Sequence, residues 1–404
     1  MGVTRGTTMA IGSATNRGAV LGAMFLMATS AIGPGFITQT TTFTARLGAA
    51  FAFAILVSIL IDVAVQLNVW RVIGVSGQRA HELGNRVAPG IGYLLAGLVV
   101  LGGLVFNIGN VGGSGLGTNA MLGVDAKIGG GISAVVAIAI FLSRWAGVAL
   151  DRIVVVLGGV MIAMTAYVAI VSGPPVGEAL RNTVLPDTVD FLIITTLIGG
   201  TVGGYITYAG AHRMLDSGLT GPGNVGAISR SSVIGILVTG VMRVLLFLAV
   251  LGVVAGGATL AQDNPTASAF QAAAGQVGLR VFGIIMWAAS ITSVIGAAYT
   301  SVSFLTSRRT TVRRRNLLIV AFIAVSTVIY LALSAKPVTL LVFAGAFNGL
   351  ILPIGFTVVL WVAWRRRDLL GGYRYPRPLL GVGVLAWLLT LYLGYRSLAE
   401  LAML

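Results

Sequence analysis

The stretch Gly33-Pro34-Gly35-Phe36 interrupts a long apolar run that covers residues 18–47. A proline between two glycines removes one backbone N–H group and provides little preference for helix. We therefore expect a membrane-spanning helix that stops here and starts again, which gives two half-helices. At membrane depth, such an interruption is tolerated only where it lines a cavity or packs inside protein.

A second break is predicted at Gly203-Gly204, inside another apolar run at residues 191–215. Paired interruptions in the two halves of a membrane protein are the best sequence pointer to the substrate site of a transporter. The two breaks together predict a secondary transporter that works by alternating access, with its substrate site between them. The alternative is that the glycines serve only to let helices pack closely.

The composition indicates the class of protein. Of the 404 residues, 57% are hydrophobic and only 9% are charged, which is typical of a polytopic helical membrane protein. The net charge of +15 comes from basic residues that collect in alternate short loops, as expected beside a lipid bilayer and not for nucleic-acid binding. No cysteine is present, so disulfides and thiolate metal sites are excluded.

Hydropathy predicts eleven spans, and the first is expected to be retained because its apolar run is too long for a signal peptide. The predicted spans are 18–46, 49–70, 90–122, 128–143, 153–172, 191–215, 231–256, 280–306, 316–334, 338–364 and 378–398. Arginines follow the even-numbered spans, which predicts a cytoplasmic N-terminus, an external C-terminus and a location in the cell inner membrane.

The fold class that follows is an all-α polytopic membrane protein with one transmembrane domain. Spans 1–5 and 6–10 form two halves of opposite orientation, so repeat one covers about 18–172 and repeat two about 191–364. An additional helix is expected at 378–398. This is the LeuT-type 5+5 inverted repeat, in which helices 1 and 6 are broken.

Polar side chains follow each predicted break, Thr38 and Gln39 after the first and Tyr205 and Thr207 after the second. Half-helices that start at a break present free N–H groups and a positive dipole end, which favour carboxylate or phosphate. Neither break has an Asp, Glu, His, Met or Cys within four residues, whereas a divalent cation is normally held by such ligands. The residues alone favour an anionic or zwitterionic substrate.

Three motifs of the chain resemble those of the NRAMP family of proton-coupled divalent-metal transporters, over nearly the whole length. The family motifs D-P-G-N, G-A-T-V-M-P-H and L-P are similar to Gly33-Pro34-Gly35-Phe36, to residues 199–205 and to Leu352-Pro353. The resemblance implies the same fold and ancestry. It also implies that the family's metal site corresponds to the region between the two breaks.

The side chains that hold the metal in that family are replaced in this sequence. The resemblance matches the family's Asp and Asn to Gly33 and Phe36, and its Met and His to Gly203 and Tyr205. Its acidic pair on span 3 is matched to two amides, Asn107 and Asn110. We therefore expect no metal site and favour a small organic carboxylate of the citrate or 5-oxoproline class. The alternative is a proton-coupled divalent metal cation transporter of the Mn²⁺ or Mg²⁺ type.

Charged residues inside spans are costly and are treated as functional candidates. Asp62 and Arg243 lie on equivalent spans 2 and 7 and are predicted to pair, with a substrate or proton role as the alternative. His212 is a candidate for proton coupling or a polar cap, and Arg213 for carboxylate attraction or a cytoplasmic anchor. Arg46, at the outer end of span 1, is expected either to attract anions into the protein or to extend its charged end to the membrane surface.

The predicted function is secondary active transport, with the proton gradient as the driving force and no cofactor. The expected partners are a small anionic substrate and the lipid bilayer. No HExxH or GxSxG motif indicates an enzyme. A receptor without transport and a channel are the remaining alternatives. The predicted substrate-binding residues are Gly33, Pro34, Gly35, Phe36, Thr38, Gln39, Gly203, Gly204, Tyr205 and Thr207.

Overall fold

A computed structural model describes residues 31–307 and 310–402, and within these ranges the regular elements are all helices. Short 3₁₀ turns occur at Gly48–Ala50 and Pro222–Asn224. In chain order the α-helices are α1 (Pro34–Leu47), α2 (Phe51–Ser76), α3 (Ala80–Val87), α4 (Ile91–Leu122), α5 (Ala126–Leu142), α6 (Arg144–Val171), α7 (Val176–Val184), α8 (Phe191–Thr201), α9 (Ile206–Asp216), α10 (Val225–Ala255), α11 (Pro265–Leu305), α12 (Val312–Ala332), α13 (Pro337–Arg365) and α14 (Arg377–Ala402).

The described helices are long and apolar enough for a polytopic membrane protein. Eight helical segments of the described residues qualify as membrane spans, or nine if the bent pair α6 and α7 counts as one span. The 17-residue helix α5 is apolar but shorter. The first half of the predicted span 18–46 lies outside the described residues. The all-α fold class is confirmed, whereas the count of eleven spans stays a prediction.

Three segments that were expected to be connections contain helix. Helix α3 follows span 2, helix α7 lies in the predicted loop 173–190, and residues 265–273 of α11 lie in the predicted loop 257–279. These short helices have too little apolar length to register as spans. Helix α11 turns sharply at Ala274 and Gly275, where Gly275 has φ +61°, so its first part runs separately from the span that follows.

Glycines bring the backbones of the central helices into contact, as is common between membrane helices. A side chain at Gly199 of α8 would place its Cβ 1.9 Å from the carbonyl oxygen of Gly345 on α13. At Gly113 of α4, a Cβ would lie 2.3 Å from the ring of Pro34 at the start of α1. The second broken span therefore packs backbone to backbone on α13, and the first packs the ring of Pro34 on the backbone of α4.

The contact between α8 and α13 predicts the effect of bulk at Gly199. Gly199→Val has only rigid backbone to displace, so overpacking should cost about 1–3 kcal/mol and lower the thermal unfolding midpoint in detergent. Gly97→Val on the exposed face of α4, where nothing lies within 4 Å, is the matched control. Equal midpoints for the two variants would contradict this packing.

Candidate functional site

The first break lies where it was predicted. Ile32 and Gly33 are non-helical, and Pro34 occupies the first position of α1. Gly33 is the N-cap residue with extended backbone at φ −95° and ψ −173°, which other residues also adopt. Pro34 fits this position because the first N–H groups of a helix have no partner within the helix.

The second break is the four-residue segment 202–205 between α8 and α9. Gly204 has φ +52°, a left-handed conformation that favours glycine. A Cβ at Gly204 would also lie 1.6 Å from Oδ1 of Asn348 on α13. Both the backbone angle and the close approach of Asn348 therefore require glycine here.

Two amide side chains, those of Gln39 and Asn348, have their oxygen atoms directed at the second broken span. Gln39 donates from Nε2 to the carbonyl oxygen of Leu341 (2.9 Å), and Asn348 donates from Nδ2 to Ala344 (2.8 Å) and Gly102 (3.1 Å). These bonds fix which end of each amide is the oxygen. Among the described residues, neither Gln39 Oε1 nor Asn348 Oδ1 has a hydrogen-bond partner.

The positions of these two oxygens are defined by the glycines beside them. A Cβ at Gly200 would lie 2.4 Å from Gln39 Oε1, and Asn348 Oδ1 abuts Gly204 as described above. Both unpaired oxygens thus lie against the second broken span. Asn348 was missed by the sequence analysis, although it is an amide inside an apolar span, four residues before the Leu352-Pro353 motif.

The aromatic and hydroxyl residues of the breaks are buried. The ring of Tyr205 packs edge-on against Phe106 of α4 at 5.5 Å, and its hydroxyl faces Asn110 without a regular hydrogen bond. Thr207 Oγ1 has no partner among the described residues. Thr38 is also buried, on α1.

Arg243 lies where the two breaks meet. Its guanidinium stacks 4.3 Å from the ring centre of Phe36, just after the first break, and donates from Nη1 to Thr201 Oγ1 at 3.0 Å, just before the second. Thr201 was not predicted as a site residue. It precedes the predicted break by two residues, and only the fold shows that it faces Arg243.

The predicted pairing of Asp62 with Arg243 is wrong in its direct form. The charge of Arg243 acts on Asp62, and Thr201 lies beside both, yet no ion pair within 4 Å joins the two charged groups. The guanidinium is directed to Phe36 and Thr201 instead. Both residues are fully buried, so they are not exposed at the membrane interface either.

His212 lies away from the breaks, in a separate polar cluster at the far end of α9. His212 is fully buried, with Nδ1 2.8 Å from Ser303 Oγ, and its Nε2 accepts from the backbone N–H of Ala80 at the start of α3 (3.5 Å). Its role as a polar cap or in proton coupling stays a prediction. Beside His212, Arg79 donates to the carbonyl oxygens of Ser303 and Thr306 and pairs with Asp216 at 3.0 Å. Tyr299 also donates to Asp216.

The remaining charged candidates lie at the ends of the spans. Arg213 is exposed, which agrees with an anchor outside the site. Arg46 at the end of α1 pairs with Asp190, the N-cap residue of α8, at 3.1 Å. Asn107 is buried on α4 and donates to Ser326 of α12. Among the described residues, no group of three His, Cys, Asp or Glu side chains could hold a metal ion.

The described residues form an all-helical bundle in which α1 starts at Pro34 after a non-helical segment, and a second break separates α8 from α9. This arrangement defines the class of protein, a membrane transporter of the LeuT-type fold. Comparison with known proteins agrees. Residues 24–400 match the family described as "Natural resistance-associated macrophage protein-like", or Nramp, and the chain belongs to this family. It is thus a multi-pass membrane transporter and not an enzyme.

The individual relatives support this placement. An uncharacterized membrane protein of Bacillus subtilis, YcsG, is 50% identical over 94% of each chain. A manganese transporter of Eremococcus coleocola has the same fold, with a TM-score of 0.74 at 16% identity over 98% of this chain and 89% of that one. The structure of MhsT in complex with L-phenylalanine is similar with a TM-score of 0.69 at 14% identity, over 93% of this chain and 98% of that one.

The enclosed second break predicts low chemical accessibility. The chain has no cysteine, so single cysteines can be introduced without other changes. Thr207→Cys should react with a maleimide in detergent at least about tenfold more slowly than Ser217→Cys, because Thr207 is buried and Ser217 is exposed. Both substitutions are close in size, and similar labelling rates would show that the site is open.

Proposed function

We propose that this chain is a secondary transporter that passes a small substrate between its two breaks by alternating access. The support for this proposal is that residues beside both breaks contact the same side chain, Arg243. Phe36 after the first break and Thr201 before the second hold Arg243, while Gln39 of α1 abuts Gly200 of α8. A rearrangement of either broken span would change this common centre, as alternating access requires.

The first candidate substrate is a divalent metal cation of the Mn²⁺ or Mg²⁺ type, moved with proton coupling. Membership of the Nramp family and the likeness to a manganese transporter favour it over the small carboxylate preferred from the sequence. The observation that carries it is the pair of fixed, unpaired amide oxygens of Gln39 and Asn348. Hard cations bind such oxygens, and Mg²⁺ keeps several of its waters when it binds.

The second candidate is a small organic carboxylate, such as citrate or 5-oxoproline. Arg243 supports it, because its Nε and Nη2 atoms have no hydrogen-bond partner among the described residues. A buried guanidinium with free N–H groups suits a bidentate carboxylate. Gly33 and Gly203 replace two of the family's ligands, but Gly203 packs against backbone, where a Cβ would lie 2.5 Å from Cα of Gly199. It therefore adds no space for an organic molecule.

A transport assay separates the two candidates. Purified protein in liposomes should take up Mn²⁺ in a saturable manner, with uptake that responds to a pH gradient. Citrate and 5-oxoproline are tested beside it, and protein-free liposomes give the background. Saturable carboxylate uptake without Mn²⁺ uptake would replace the first candidate with the second.

A charge at Gly33 gives a sharper test of the substrate's sign. Gly33→Asp suits the N-cap position of α1, where Asp is favoured, and places a carboxylate at the first break. For a cation substrate, the Mn²⁺ concentration at half-maximal uptake should fall about tenfold, which corresponds to about 1.4 kcal/mol.

Gly33→Asn is the matched control, since it has the same shape and caps the helix equally well without charge. A carboxylate transporter would respond in the opposite way, with carboxylate uptake impaired by Gly33→Asp and not by Gly33→Asn. Equal effects of the two variants on Mn²⁺ uptake would contradict a cation site at the first break.

A further inference from the structure

Asp62 of α2 and Arg243 of α10 form an unusual arrangement of buried charges. Both side chains are at most 1% exposed and interact electrostatically, yet they make no direct ion pair. A structural ion pair inside a membrane protein is expected to be direct, because desolvation is costly for both partners. The separation of these two charges therefore calls for a functional explanation.

The carboxylate of Asp62 has no regular hydrogen-bond donor among the described residues. Thr201 is its polar neighbour, but the single hydroxyl proton of Thr201 is donated to the carbonyl oxygen of Leu197 at 2.9 Å. Neither oxygen of Asp62 accepts a regular hydrogen bond from a described residue. An ionised carboxylate is costly in such a place, whereas a protonated one carries no charge.

Among the described residues, Arg243 on α10 is the charged side chain that interacts electrostatically with Asp62 on α2. It is also the residue that contacts both breaks, through the ring of Phe36 and the hydroxyl of Thr201. A movement of either break would change these contacts. The charge beside Asp62 thus depends on the geometry of the breaks.

We propose that Asp62 is a proton-binding site whose occupancy is set by the position of Arg243 between the two breaks. This inference adds a proton site to the proposed transport function. It also names Arg243 as the residue that couples the proton site to the two breaks. It rests on the proposed transport only for the direction of proton movement, because proton binding itself can be observed without substrate.

The proposed cycle uses one reversible proton transfer. In the arrangement described here, the guanidinium lies on Phe36 and Thr201, and Asp62 holds a proton on one carboxyl oxygen. When a break rearranges, Arg243 pairs directly with Asp62, the O–H bond breaks, and the proton passes to water in the half of the protein that is open. A nearby cation favours the ionised carboxylate, which drives this release.

Infrared difference spectroscopy on the purified full-length protein tests the proton site directly. A pH change should reveal the C=O band of a protonated carboxyl group that Asp62→Asn removes. In Arg243→Gln the same band should persist to a pH about one to three units higher, because the cation that favours ionisation is gone. A band unchanged in Asp62→Asn would overturn the proposal.

Transport measurements with Mn²⁺ as the probe test the coupling. Asp62→Asn should retain Mn²⁺ exchange between the two sides but lose accumulation driven by a pH gradient, while Asp62→Glu restores it. Asp190→Asn, which preserves the N-cap of α8, is the control and should keep both activities. Full gradient-driven accumulation in Asp62→Asn would contradict the proposal.

The two measurements separate the possible failures. Absence of Mn²⁺ transport by the unsubstituted protein would contradict the cation candidate and leave the infrared result on Asp62 intact. A folded Asp62→Asn protein that loses exchange as well would assign Asp62 a structural or substrate-contacting role instead, and the proton site would be rejected. Circular dichroism and a thermal melt establish that each variant is folded.

Discussion

Backbone that leaves the helical conformation at membrane depth must be enclosed by protein, and side chains of neighbouring helices surround both breaks here. Trp70 of α2 donates from Nε1 to the carbonyl oxygen of Thr207, just after the second break. Gln39 donates to α13, and Asn348 of α13 donates to α4. These three side chains therefore join α2 to α9, α1 to α13 and α13 to α4 around the breaks.

Much of this fold could be predicted from the sequence, because its signals are local. Gly33-Pro34-Gly35 and Gly203-Gly204 mark the breaks through backbone chemistry, and long apolar runs mark the spans. Helix α3, helix α7 and the start of α11 escaped prediction because they are short and partly polar. The bend at Gly275 has no hydropathy signal, since it depends on a left-handed backbone at one residue.

The site was less predictable, since its geometry joins residues far apart in the chain. Asp62 and Arg243 were found as buried charges, but their relation depends on Thr201 and Phe36, which come from other spans. The orientation of the Asn348 amide, which leaves its oxygen without a partner among the described residues, is set by carbonyl groups of α4 and α13. Family membership accounts for the architecture, but it does not specify these contacts between side chains.

The bonds of Arg79 with Asp216, Ser303 and Thr306 make one residue responsible for joining two helices. One side chain, 3% exposed, binds the carbonyl oxygens of Ser303 in α11 and of Thr306 just after it, together with the carboxylate of Asp216 on α9. If this end of the bundle opens during transport, these bonds must break together, because they share one guanidinium. The loss of this one side chain would therefore remove its bonds to both helices at once, since all three bonds belong to one residue.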